Sequence, residues 1–210
     1  MRLDLHNHTW HSPDSLNGLK GLVARSKKLG IIPGITDHNS IGAHEELRRM
    51  GATFIPGEEI RADVGDLIGL YINELIPRKT AFMEAVDMVR EQGGVVYMPH
   101  MYDARRRGVP DAELAAKADV IEVLNGHCTP EHNAMALEFA EKNNMLMGAG
   151  SDAHLLNEFG KCCVETPEFD VGEPKEFLRA LKKGKIMGKA EPAIKGLHAA
   201  VKIGKKLFRL

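Results

Sequence analysis

Apolar positions along this 210-residue chain fall in short runs separated by longer stretches of helical period. The first run, RLDLHNH, sets Leu3 and Leu5 against Asp4, His6 and His8 at a spacing of two. That is the period of a strand with one apolar and one polar face. Strand patterns cover 3–8, 31–36, 53–60, 67–72, 95–99, 120–124 and 146–150. Helical patterns cover 19–29, 41–50, 80–92, 111–117, 131–142, 177–183 and 194–208. Several helices stop at a glycine, at Gly30, Gly51 and Gly93. The repeating strand–helix order predicts parallel strands with helices outside, and seven strands in one unit favour a closed barrel over an open sheet. No GxGxxG string follows the first strand, which also argues against an open dinucleotide-binding sheet. One link is irregular. Between Ile60 and Leu67 only RADVGD intervenes, too short for a parallel crossover, so a hairpin-like excursion or a distorted barrel is expected there.

Composition adds three constraints. The length fits one domain over residues 1–210 with a sizeable core. The three cysteines, Cys128, Cys162 and Cys163, are odd in number and two are adjacent, so no disulfide framework is expected. With no membrane-length apolar run and no signal-peptide pattern, this predicts reduced thiols and a cytoplasmic location. The net charge of −1 hides an asymmetry: residues 175–210 hold 11 basic and 2 acidic groups, and the preceding chain 17 and 27. An acidic body suits a cation site. The basic tail is either a surface for nucleic acid or acidic membrane, or a solvated helix face.

In a strand–helix barrel the chemistry sits at the carboxyl ends of the strands. His6 and His8 end the first strand, and Asp37 and His38 the second. Glu58 and Glu59 lie on the third, and Asp66 precedes the fourth. His100 ends the fifth and His127 the sixth, and Asp152 and His154 end the seventh. Alternation sends Glu58 and Glu59 to opposite faces and separates Asp37 from His38, so each pair supplies one direct ligand at most. Asp37 is otherwise a helix cap. His11, His44, His132 and His198 read as surface or helix histidines. Cys128 reads as a buried inert thiol, with zinc binding the alternative. So many nitrogen and oxygen donors exceed the needs of one tetrahedral ion, and suit two or three divalent ions of Mn, Zn or Fe. Such clusters hydrolyse phosphate esters; amide hydrolysis on an amidohydrolase-like barrel is the chemical alternative.

The strings DLHNHT, TDHN, GEEI, PHMYD and GSDAH, in that order, resemble the signatures of the PHP (polymerase and histidinol phosphatase) family. The resemblance implies a distorted (βα)7 TIM-like barrel, a di- or trinuclear metal centre and phosphoesterase activity. It makes His6, His8, Glu59 and Asp152 ligands of one ion, with Glu59 bridging to a second ion held by His100. Asp14, His38 and His154 complete the set, and Asp37 orients His38. Asp14, His38, Glu59 and Asp152 are the expected catalytic residues. The chain has Asp66 where many members have histidine, and His127 where the family often has arginine. It is shorter than typical histidinol phosphatases, which argues against that substrate.

Arg105, Arg106 and Arg107 follow PHMYD directly. Arginine forks match phosphate oxygens, so Arg106 and then Arg107 are the expected substrate contacts, a solvated basic loop being the alternative. The leading expectation is hydrolysis of a small phosphorylated metabolite or nucleotide. A nuclease fits the basic tail, although the chain is only 5% aromatic and offers few stacking platforms. A non-catalytic, metal-poor scaffold is disfavoured by the intact donor set.

Overall fold

The computed structural model describes residues 1–191 and 197–208. Seven strands stand where the pattern predicts them: β1 (Arg2–Asn7), β2 (Ile31–His38), β3 (Ile55–Arg61), β4 (Asp66–Leu70), β5 (Val95–Met98), β6 (Val120–Asn125) and β7 (Leu146–Gly150). Two strands lie outside the predicted set, β8 (Cys162–Glu165) and β9 (Lys185–Gly188). The helices are α1 (Leu19–Leu29), α2 (Gly42–Arg49), α3 (Phe82–Glu91), α4 (Ala112–Ala115), α5 (Pro130–Lys142), α6 (Pro174–Leu181) and α7 (Leu197–Phe208). The predicted start of the last helix at 194–196 and the side chain of His198 lie outside the described residues. No helix among the described residues is long and apolar enough to cross a membrane.

All nine strands form one sheet in the order β7-β6-β5-β4-β3-β2-β1-β8-β9. Within it β1, β2 and β3 run parallel, as do β5, β6 and β7. The exception is β4, antiparallel to both neighbours, which the six-residue RADVGD link foreshadows. This inversion matters for the site. It brings Asp66, the first residue of β4, to the end of the barrel where the parallel strands finish.

The sheet curls until its ends nearly meet. The lower half of β1 pairs antiparallel with β8, Arg2 opposite Glu165 and Leu3 opposite Val164. Its upper end instead meets the segment after β7. Asp152 N donates to His6 O at 2.8 Å, and His8 N donates to Ala153 O at 3.0 Å. Main-chain closure between β1 and the segment after β7 is therefore made at the mouth.

Burial follows the alternation. Leu3, Leu5, Ile55, Ile68, Leu70, Tyr97 and Val120 fill the barrel interior as one buried cluster. Outside the sheet, Val96, Met98, Ile121 and Val123 pack against Phe82, Val86 and Val89 of α3 and Ala136, Phe139 and Ala140 of α5. Each fully buried aliphatic side chain of this size contributes about 1.5–3 kcal/mol. Helix α1 stops where Gly30, at φ +63°, turns left-handed and donates its N–H to Ser26 O. On β2, Gly34 faces the β1 backbone so closely that an added Cβ would stand 2.5 Å from Leu5 O, so Gly34→Ala would separate the two strands.

Strand β1 departs from simple alternation. Its register with β2 slips between Asp4 and Asn7, the mark of a bulge. As a result Leu5 joins the interior cluster while His6 and His8 also reach the central cavity above it. Asp4 turns to the far side and accepts from Ser151 N and Gly160 N, both at 2.8 Å. Of the two readings for His44, surface or helix, the second holds: it is buried on α2, with Nε2 3.0 Å from Gly57 O, and it pins α2 to β3.

Candidate metal centre

Eight side chains from five strand ends and one loop converge at the mouth. His6 and His8 come from the end of β1, and Asp14 from the loop before α1. His38 comes from β2, Glu59 from β3, His100 from the end of β5, and Asp152 and His154 from the segment after β7. Seven of them place donor atoms in three overlapping groups, each within 4.8 Å: His6, His8 and Glu59; His6, His100 and Asp152; and His8, His38 and His154. His6 and His8 oppose their Nε2 atoms at 3.2 Å, and His8 Nε2 lies 3.2 Å from Asp152 Oδ1 and 3.4 Å from Glu59 Oε2. Glu59 spans the site: Oε2 is 2.7 Å from His38 Nδ1 and Oε1 is 3.0 Å from His100 Nε2. Asp14 places one oxygen 3.5 Å from His38 Nε2 and the other 3.5 Å from His154 Nε2.

These spacings fit a divalent ion. With ligand bonds of about 2.0–2.1 Å, neighbouring donors in a tetrahedral shell stand roughly 3.3 Å apart. The donors are mostly buried, so mobile solvent does not average the arrangement. The set is built of imidazole and carboxylate, a nitrogen and oxygen mixture that accommodates Mn, Zn or Fe.

The charges interlock. Burial alone would raise the pKa of Asp152, but the Arg106 guanidinium and His6 outweigh it and hold this carboxyl well below its usual range. Glu59 is depressed in the same way, burial being overcome by His38 and His100. At His6 burial is outweighed by Asp152 and Glu122, which raise the ring well above the usual imidazole value. At His8 burial, with His154 and His38 adding to it, wins and lowers the pKa to about 3. His8 is therefore a neutral donor at any ordinary pH.

Two of the expected residues, Asp66 and Arg107, meet each other at the rim. Asp66 lies outside the three donor groups, buried at the rim, where its Oδ1 accepts from Arg107 Nε at 3.0 Å. Arg107, left-handed at φ +59°, also donates to Ala62 O at 3.0 Å, so it braces the β3–β4 turn. Arg106, on the 3₁₀ turn Ala104–Arg106, does reach the centre, and its Nη1 donates to Asp152 Oδ2. Arg105 instead pairs with Asp103 at 2.9 Å. Asp37 accepts from Thr9 N and Thr9 Oγ1 at 2.6 Å and from Ser12 Oγ at 2.7 Å. Ser12 Oγ in turn accepts from His38 N at 3.0 Å and lies 3.1 Å from His8 Nδ1, so Asp37 is linked through Ser12 to both histidines. His127 is buried with Nε2 3.6 Å from Glu158 Oε2 and its ring edge-on to His154. Cys128 is buried, and burial pushes its thiol pKa up, as an inert thiol requires.

The sequence reading missed Glu122. This carboxylate on β6 is fully buried, with Oε1 3.1 Å from His6 Nδ1 and accepting from Tyr97 Oη at 3.2 Å. Its Oε2 accepts from His100 N and Asn125 Nδ2, both at 2.9 Å. A lone glutamate inside VIEVLN, a run otherwise apolar up to its last residue, was the available signal. Gly150 makes room for the contact, since a Cβ there would stand 2.3 Å from His6 Cβ.

A barrel with imidazoles and carboxylates gathered at its mouth defines a class of metal-binding hydrolase-like folds, and comparisons place the chain within it. Residues 130–186 match the family described as PHP-associated. The chain is 39% identical over 196 residues to the uncharacterized protein MJ0417 of Methanocaldococcus jannaschii, spanning 87% of this chain and 79% of that protein. Its fold is similar to that of a Bifidobacterium adolescentis protein assigned to the metal-dependent phosphoesterases. That match has TM-score 0.56 at 18% identity, over 72% of this chain and 87% of the other. It is also similar to the lesion-specific endonuclease PfuEndoQ of Pyrococcus furiosus, with TM-score 0.61 at 18% identity, over 89% of this chain and 58% of that one. The chain and MJ0417 belong to one family, and residues 130–186 of the chain carry its PHP-associated match.

Proposed function

We propose that this protein is a metal-dependent phosphoesterase that hydrolyses a small phosphorylated metabolite or nucleotide at a centre of two or three divalent ions. The observation that carries this reading is the convergence of five imidazoles and three carboxylates at one mouth with donor spacings near those of a coordination shell. His6, His8, Glu59 and Asp152 would hold one ion, His100 with Glu59 a second, and Asp14, His38 and His154 a third. When bound, such ions supply Lewis-acid polarisation of a phosphoryl oxygen and a water nucleophile at neutral pH.

The chain's own residues do the rest. Glu59 presents its two oxygens to opposite sides of the centre and so fixes the distance between subsites. Arg106, a cation at the mouth with a side chain 20% exposed, spends Nη1 on Asp152 and would grip a phosphate oxygen with the rest of its fork. Asp14, at the rim between His38 and His154, is the most accessible of the three carboxylates, and those two rings outweigh burial and hold its carboxyl well below the usual range, so it would meet a cation as an anion. Arg107 is a weaker candidate for substrate contact because Asp66 and Ala62 already engage it.

The test is a screen of phosphorylated metabolites and nucleotides with added Mn²⁺, run beside elemental analysis. The reading expects more than one metal equivalent per chain and release of phosphate from a small ester. A trace of metal after gentle purification would sink it. The fold shared with PfuEndoQ gives a nuclease reading its own arm: an oligonucleotide carrying a base lesion, cleaved faster than any small ester, would favour it.

A further inference from the structure

Helix α7 carries the basic tail, and one of its lysines is not on the solvated face. Lys205 is buried, while Lys202, Ile203, Lys206 and Leu207 around it are exposed. Its Nζ donates to Trp10 O at 2.6 Å, Ser12 O at 2.7 Å and Ser15 O at 3.2 Å. An ammonium has three donors, and all three are spent on one loop. The same nitrogen lies 4.2 Å from the centre of the Trp10 ring, a cation–π contact. The carbonyls are not arbitrary. Ser15 N donates to Ser12 O across the turn at 3.4 Å, so Ser12 O and Ser15 O flank the turn that presents Asp14. The far side of that loop is tied to the barrel, Ser15 Oγ donating to His8 O at 3.0 Å and His154 O at 3.1 Å.

We infer that Lys205 is a positioning residue: its ammonium fixes the Ser12–Ser15 turn, so that Asp14 meets His38 and His154 only with α7 docked. Resting on the metal-centre reading above, this assigns α7 the role of a latch for one subsite, the one containing Asp14. Without the ammonium three carbonyls would need new donors, and the turn would lose the charge-assisted bonds that set its geometry. Misplacing a group that supports a ligand costs about 10- to 100-fold in metal affinity. The loss should fall on the weakest-held ion, leaving those at His6, His8, Glu59, His100 and Asp152 in place.

The test uses the full chain as wild type, Lys205→Met and Lys205→Gln, with exposed Lys202→Met and Lys206→Met as controls. Metal per chain is measured after equilibration with Mn²⁺, and acrylamide quenching is read from Trp10, the single tryptophan. Both Lys205 variants should bind one ion about 10- to 100-fold more weakly and show increased quenching, with unchanged far-ultraviolet circular dichroism. In an Asp14→Asn background, Lys205→Met should have no further effect on metal content. Wild-type metal content and quenching in both Lys205 variants would overturn the inference, as would equal loss of every ion together with helicity. Wild-type protein that binds no metal would sink the metal reading itself, and quenching would still decide whether Lys205 holds the turn.

Discussion

Replacing Glu122 by glutamine changes one oxygen to an amide nitrogen and almost nothing in volume, yet it should weaken metal binding strongly. Glu122 Oε2 faces two fixed donors, His100 N and Asn125 Nδ2. Asn125 cannot flip to relieve the clash, because its Oδ1 already accepts from His127 N and Cys128 N. The glutamine oxygen must therefore take that side, and its NH₂ must face Tyr97 Oη and His6 Nδ1. The tyrosine hydroxyl can rotate to accept. The imidazole can accept only by moving its proton to Nε2, the nitrogen that faces His8, Glu59 and Asp152. A protonated Nε2 is no ligand. Losing the partner that fixes a ligating histidine's tautomer costs about 10- to 100-fold in affinity, or about 1.4–2.7 kcal/mol. Competition with a chromophoric chelator for Zn²⁺ measures this directly, with a thermal melt to establish that the fold survives. An affinity within about twofold of wild type in a folded Glu122→Gln protein would refute the tautomer argument.

Arg106→Ala should lower kcat/KM by about 30- to 150-fold, the 2–3 kcal/mol of a charge-assisted contact, while Arg106→Lys restores part of it; steady-state kinetics on whichever ester the screen finds decides this. Gly150→Ala should cost both stability and metal content, because its Cβ would stand 2.3 Å from His6 Cβ and 2.8 Å from Glu122 Oε1. Overpacking of this kind costs typically about 1–3 kcal/mol, seen as a lowered Tm with Gly18→Ala as a control in open space. Mn²⁺ affinity should weaken as pH falls, and the weakening should begin above the free-imidazole value of about 6.5. Carboxylates overcome burial to hold the His6 and His38 pKa values high, so each keeps its proton to higher pH and must release it to bind an ion. Titration calorimetry across about pH 6–8 checks the sign.

The seven strands and the crowding of donors at one end were legible because both follow from period two and from short strings at strand ends. The short RADVGD link also revealed the inverted β4. Strands β8 and β9 were not legible, since CCVE and KIMG are four residues each and gain their pairing only by lying along β1 and each other. Alternation misled at β1, where the bulge turns both Leu5 and His6 inward. His44 was legible as a helix histidine, but helical pattern alone does not show that it is buried with Ala43 and Leu47 and reaches Gly57 of β3. The triple-arginine string gave no sign that its three members take three different carboxylates, Asp103, Asp152 and Asp66. Lys205 was hidden in a basic tail whose composition describes the exposed face and not the one lysine bent under it.

The two backbone bonds that close the barrel mouth, Asp152 N to His6 O and His8 N to Ala153 O, each involve a residue whose side chain is a proposed ligand. Below them β1 turns to β8 for its backbone partners and meets the segment after β7 through the Asp4 side chain, so the ring has a seam with its main-chain fastening at the upper end. Asp152 holds its end of that seam in a left-handed conformation, φ +53°, which an aspartate adopts only at some cost. Barrel integrity and ligand geometry are thus one mechanical property. Any ion bridging His6 or His8 to Asp152 would act as a rivet across the seam, and the amide of Asp152 would exchange with solvent only when the rivet is drawn.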